Sequence, residues 1–226
     1  MKYIELEVLM SPQRLGRYNV ACNDHVLKTI TLYQANIRIS QAFLASLSVF
    51  EVVLRNKIDL HYKTRFPAIG GKQEWLLEST LPGGFFTGKG CESSFDKITQ
   101  IHKKLGKDYS HDRLLTQLTF GFWKYMFAGR QFKAAGGTLL AIFPNLPPRC
   151  NQNFIYHKLH RINSIRNRVA HHEPICFDPG NKIGTRIARL YLLEMMDILD
   201  YMDVESTRLL YDYDNVLNEA NYIDNI

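Results

Sequence analysis

Five apolar residues, Phe43, Leu47, Phe50, Leu54 and Ile58, recur at spacings of 4, 3, 4 and 4. That rhythm gathers all five on one side of an α-helix but scatters them over both faces of a β-strand, so only a helix buries them together. The rhythm returns at Ile155, Leu159, Ile162, Ile165 and Val169, and again at Ile187, Tyr191, Met195, Ile198 and Met202. Leu192, Met196 and Leu199 broaden the last of these faces, and so broad an apolar face touches more than one neighbour. No stretch sustains a period-two alternation. The expected fold is all-α, an antiparallel helical bundle. With 226 residues, 46% of them hydrophobic, the chain is long enough to close one core, and a single domain over residues 1–226 is expected.

Local signals divide the chain further. Ser11 is a candidate N-cap with Pro12 at the first helical position, opening a short helix that ends near Asn23. Asp24 opens a second helix to about Arg38, and Ser40 begins the one that carries Phe43 to Ile58. Residues 66–91 are rich in Gly and Pro and form a loop insertion with one short turn at Trp75 to Leu77. The GGFFTGKG stretch inside it lacks the spacing of a phosphate-binding loop. Helices follow at about 92–105, 151–172 and 182–202, His111 to Leu118 leads into the aromatic run, and residues 203–226 form an acidic C-terminal helix and tail. The aromatic run Phe120, Phe122, Trp123, Tyr125, Met126 and Phe127 is expected in the core, although such rings also stack RNA bases.

Charge narrows the partners. The chain carries a net +6, yet residues 200–226 hold seven acids and one base, which leaves about +12 on the rest. A basic body suits a polyanion such as RNA; a merely solvated surface is the plainer alternative. The four cysteines are far apart and form no C-x-x-C, as expected of reduced thiols in a cytoplasmic protein. Acidic residues interrupt the apolar N-terminus, so no signal peptide is expected. The longest apolar stretch, Ala42 to Leu54, is broken by Glu51 and is too short to span a bilayer, so no membrane partner is expected.

The richest chemistry lies in Ile162 to Ile175, INSIRNRVAHHEPI. Arg166, Asn167, His171 and His172 fall off the apolar stripe, and Pro174 stops the helix near the histidines. The negative end of the helix dipole beside those imidazoles favours their protonated form. A guanidinium one turn away binds phosphate oxygens, and an imidazole moves protons near neutral pH. The same residues, with Glu173, would also serve simply to cap a helix end. His157, His160, His171, His172 and Cys176 offer zinc ligands, but no H-E-x-x-H and no paired C-x-x-C occurs, and no metal or other cofactor is expected. A Ser-His-Asp hydrolase lacks its G-x-S-x-G elbow.

Arg166 and His171, with Asn167 directly after the arginine and four residues between the pair, look like the arginine–x(4 to 6)–histidine motif of the HEPN superfamily. The longer string RNRVAHHEPI resembles the Abi-like (abortive infection) branch. Two other segments agree: FEVVLRNKID, which holds Glu51, Arg55 and Asn56, and the Phe-Gly-Phe-Trp piece at Phe120 to Trp123. The resemblance covers about Glu5 to Ile175. It implies a metal-independent endoribonuclease of phage-defence or toxin type, in which the ribose 2′-OH attacks its own phosphate. Arg166 would stabilise phosphate charge and His171 would be the general acid or base. Asn167 would hold the phosphate or the backbone, and His172 would be a spare imidazole or a helix-end cap. Glu51, Arg55 and Asn56 would face Arg166 and His171 in a shared polar pocket; the plainer alternative is a Glu51–Arg55 surface ion pair at i, i+4. The implied partners are RNA, a second copy in a symmetric homodimer, and an antitoxin or regulatory protein. Five positions on one helix place Arg166 and His171 about 140° apart, which also favours a site built from two copies. Some HEPN domains do not cleave and serve as RNA-binding or protein-interaction modules, the alternative function here.

Overall fold

The computed structural model describes residues 3–65, 74–210 and 215–226. The described chain is mostly helical, as the spacing requires. The helices are α1 (Tyr3–Met10), α2 (Pro12–Ala21), α3 (Val26–Arg65), α4 (Trp75–Glu78), α5 (Glu92–Leu105), α6 (His111–Gln117), α7 (Phe120–Tyr125), α8 (Gly129–Ala134), α9 (Gln152–Ala170), α10 (Arg186–Tyr201), α11 (Ser206–Leu210) and α12 (Val216–Asp224). Single 3-10 turns form at Phe85–Thr87, Gly106–Asp108 and Leu139–Ile142. Residues 66–73 of the expected loop insertion and 211–214 of the expected last helix lie outside the described residues.

Sequence explains most of these boundaries. Ser11 Oγ accepts from Arg14 N at 3.3 Å and Pro12 takes the first helical position. Asn151 Oδ1 accepts from Asn153 N and Phe154 N at 3.0 and 3.1 Å, opening α9. Gly106, at φ +49°, closes α5. One expectation fails: α3 is a single helix of forty residues, not two helices divided near Ser40. The reason is Ile39, four positions before Phe43 and fully buried. It carries the seam unbroken through Ile39, Phe43, Leu47, Phe50, Leu54, Ile58 and Tyr62, all at most 3% exposed. No Gly or Pro interrupts the stretch, so packing overrides the capping preference of Ser40. The merged helix, unlike its Ala42 to Leu54 stretch alone, is long and apolar enough by length and composition to cross a membrane.

A second departure is small. Phe177–Asp178 (β1) and Lys182–Ile183 (β2) pair antiparallel, with Phe177 opposite Ile183. Gly180 and Asn181 take φ of +79° and +66° in the turn between them, a backbone these residue types tolerate best. The hairpin uses Lys182 and Ile183, so α10 starts at Arg186, later than expected.

The chain gathers into two compact units, each discontinuous in sequence, and three of their four boundaries fall inside α3, α9 and α10. The first comprises Met1–Ser48, Ser164–Met196 and Ser206–Ile226. Arg38 Nε bonds Glu219 Oε2 at 2.9 Å, Lys28 Nζ bonds Ile226 O at 3.1 Å, and Asp224 accepts from Thr185 and Arg189 at 2.8 to 2.9 Å. Val216, Ala220 and Ile223 are fully buried beneath these contacts.

The second unit comprises Val49–Asn163 and Asp197–Glu205. Its interior is aromatic: the Tyr62 and Trp75 rings stack 4.6 Å apart, and Phe50 lies 5.9 Å from Phe120. Each fully buried large side chain of this kind contributes roughly 2 to 3 kcal/mol of apolar transfer. Lys57 Nζ and Met202 O (3.1 Å), and Lys158 Nζ and Asp197 (2.7 Å), tie its two segments together. By sequence range this unit carries 17 Lys and Arg against 12 Asp and Glu, a net +5. The first carries 11 against 10, a net +1. The basic excess therefore belongs to the second unit.

Candidate active site

The end of α9 is closed by its own backbone. His171 N donates to Asn167 O at 2.9 Å, His172 N to Val169 O at 3.1 Å, and Glu173 N to Arg168 O at 2.7 Å. The last two bonds form a Schellman closure, which needs a left-handed residue, ordinarily Gly. Here that residue is His172, at φ +57°. A histidine there costs about 1 to 2 kcal/mol against a right-handed backbone. Pro174 keeps the helix from resuming.

Arg168 and Asn36, neither singled out by the sequence pattern, hold the chain as it leaves α9. Arg168 Nη2 donates to Pro174 O, and its Nε lies 3.7 Å from Glu173 Oε2. Ile175 N donates to Asn36 Oδ1 at 2.8 Å in a buried setting. The only sequence signal for Asn36 is an amide set among apolar residues of α3, and a buried amide must find a partner. The segment from His171 to Ile175 is thus clamped to the first unit at both ends.

With the closure spent on backbone and Arg168, the motif side chains are left over. Arg166 is half-buried, and Asn167, His171 and His172 are exposed. None of the four side chains makes a hydrogen bond or ion pair among the described residues. His171 keeps its helical backbone bond, so the angle of about 140° to Arg166 holds. His172 borders a hollow of about 400 Å³ together with Arg14, Asn36, Ser40, Gln41 and Val169. Ser40 Oγ is buried there without a partner among the described residues.

Glu51, Arg55 and Asn56 belong to the second unit, while Arg166, Asn167, His171 and His172 belong to the first. Glu51 and Arg55 are half-buried and Asn56 is exposed. The i, i+4 ion pair between Glu51 and Arg55 does not form, and Arg55 Nε is buried without a hydrogen-bond partner among the described residues.

A further cluster escaped the sequence pattern. Asp59 Oδ1 accepts from Trp75 Nε1 at 2.8 Å and from His111 Nε2 at 2.7 Å, and Oδ2 lies 2.7 Å from Lys63 Nζ. Burial raises the Asp59 pKa, but the bonds from His111, Lys63 and Trp75 outweigh it and hold the carboxyl at about 2. The side chains of Asp59 and His111 are each 10% exposed, and His111 Nδ1 is buried without a partner among the described residues. The cluster joins α3, α4 and α6. Asp59 and His111 are 52 residues apart, beyond the reach of any local spacing rule.

Among the described residues, no three or more His, Cys, Asp or Glu side chains gather as metal ligands would. Comparison with known family profiles, curated proteins and solved structures gives no match.

Proposed function

We propose that this chain is a metal-independent endoribonuclease of the HEPN, Abi-like kind, with a HEPN-like helical bundle, acting in the cytoplasm in phage defence or as a toxin. The observation that carries the proposal is the division of labour at the end of α9. Arg168 and the backbone close the helix, which leaves Arg166 and His171 without partners among the described residues. A pair needed only to cap a helix end would be engaged in capping it. Arg166 binds the non-bridging phosphate oxygens, since a guanidinium stays charged and bonds them two at a time. His171 moves the proton. The O2′–P bond forms as the P–O5′ bond breaks; an imidazole takes the 2′-hydroxyl proton and one delivers a proton to the leaving oxygen. The products are a 2′,3′-cyclic phosphate and a 5′-hydroxyl.

The test is incubation of purified protein with total cellular RNA in excess EDTA. Cleavage is expected to persist, and His171→Ala is expected to lower it on the order of 10²- to 10⁴-fold with an unchanged melting midpoint. Arg55→Ala is expected to reduce cleavage with little loss of stability; unchanged cleavage removes Glu51, Arg55 and Asn56 from the site. Cleavage by His171→Ala at the parent rate refutes the assignment, as does activity lost to EDTA and restored by Mg²⁺ or Zn²⁺.

A further inference from the structure

The aromatic run that fills the second unit leaves one ring outside. Phe120, Phe122, Trp123, Met126 and Phe127 are buried, whereas Tyr125 is 43% exposed. Its ring lies 6.4 Å from that of Tyr156 on α9. Tyr156 lies in turn 5.6 Å from the His157 ring and 6.2 Å from the His160 ring. Lys124 lies against this row, with Nζ 4.6 Å from the Tyr125 ring centre and 5.9 Å from that of Tyr156. Only 6% of Lys124 is exposed, and burial pushes its ammonium below the usual lysine pKa. No carboxylate pairs with it among the described residues. Tyrosine faces offset only part of the cost of such a cation, so the site has use for an anion. Tyr125 is also one wall of a hollow of about 190 Å³ lined by Ser93, Lys97, Thr119 and Phe122, the size for one planar ring system. Lys97, exposed, adds a second amine at its rim.

We propose that Tyr125, Tyr156, Lys124 and Lys97 form a binding surface for single-stranded RNA, with bases stacked on the two tyrosines and phosphates held by the two lysines. Every base has a π-face, and a single strand leaves those faces free, while a duplex hides them. An acidic peptide would satisfy the lysines but leave the rings unused. The unit that carries the surface also carries the basic excess, which draws a polyanion toward it. The site lies outside the Arg166–His171 motif and needs no cleavage to act.

Binding is measured on the His171→Ala chain, so that the probe survives, by fluorescence anisotropy with a 5′-fluorescein ten-nucleotide oligouridylate. Tyr125→Ala and Tyr156→Ala are each expected to weaken binding roughly tenfold, the effect of losing one stacked base. Tyr125→Phe keeps the ring and should bind like its parent. Lys97→Ala should flatten the dependence of log affinity on log salt by roughly 0.7, one phosphate contact on a single strand. Lys124→Met should do the same; if that buried change unfolds the chain, the exposed Tyr125 and Lys97 carry the test. Parent-level binding by folded Tyr125→Ala and Tyr156→Ala chains overturns the proposal. So does binding of a ten-base-pair RNA duplex as tight as that of the single strand, which would reduce the surface to charge alone. Intact binding by a wild-type chain that cuts no RNA would overturn the proposed nuclease and leave this surface standing.

Discussion

Arg166 and Arg168 stand two positions apart on α9 and do different work. Arg168 reaches Pro174 O and the Glu173 carboxylate and holds the chain where it leaves the helix; Arg166 makes no such bond among the described residues. The 3.6-residue period separates both arginines from the apolar stripe, but it does not say where the chain goes after Pro174. That return path decides which guanidinium is spent. Asp59 is a similar case, with partners at His111 and Trp75 far along the chain. Its folded pKa of about 2 lies below the ordinary value, so its stabilisation is present in full above about pH 4 and is lost as pH falls toward 2. The shift corresponds to about 2 kcal/mol. Denaturant melts of wild type and Asp59→Asn should differ by about that amount at pH 7, and the gap should narrow below pH 4 and close near pH 2. A gap that persists at pH 2 would place the loss in packing instead.

At the level of elements, apolar spacing was the dependable signal. Helix α5 runs from Glu92 to Leu105 as its sequence indicates, because the glycines before it and Gly106 after it mark both ends. The aromatic run went to the core except for Tyr125, which no periodicity singles out. The two-residue strands were illegible because alternation needs more than two residues to register. In α3, Ser40 imitates a helix start while Ile39 keeps the seam going. The two alternatives respond oppositely to proline. If a helix began at Ser40, Gln41 would be its first position, where proline is favoured. In the continuous helix Gln41 is interior, and Gln41→Pro should cost about 3 kcal/mol or more, read as a lowered midpoint in urea. An unchanged midpoint would restore the break.

For the molecule as a whole, the angle between Arg166 and His171 matters most. Residues about 140° apart around one helix do not converge on one phosphate, so the proposed nuclease calls for two copies. The apolar spacing gives the 182–202 helix an unusually broad face, with Leu192, Met196 and Leu199 beside its main seam. The structure buries Leu192 and Leu199 and half-buries Met196, and the leucines that α10 leaves exposed are others, Leu190 (46% exposed) and Leu193 (57%). These two leucines, one turn of α10 apart, offer one apolar contact for a second copy. Sedimentation at micromolar concentration should show a dimer, and Leu193→Asp should shift it toward monomer while sparing the helical CD spectrum. Arg166→Ala and His171→Ala chains, each inactive alone, should regain cleavage when mixed. A 26 kDa monomer that cleaves at full rate would rule out the composite site.

The first unit is stitched from the opening, a middle stretch and Ser206–Ile226. Lys28 bonds Ile226, Arg38 bonds Glu219, and Asp224 holds Thr185 and Arg189. During translation, Arg166 and His171 are polymerised before Glu219, Asp224 and Ile226, which make these last contacts. A ribosome that has not passed Ser206 carries the motif and its Arg168 and Asn36 clamp, but not the last segment that closes the first unit. If the motif cuts RNA as proposed and its scaffold needs that last segment, the order of synthesis itself delays the nuclease until the segment has been made.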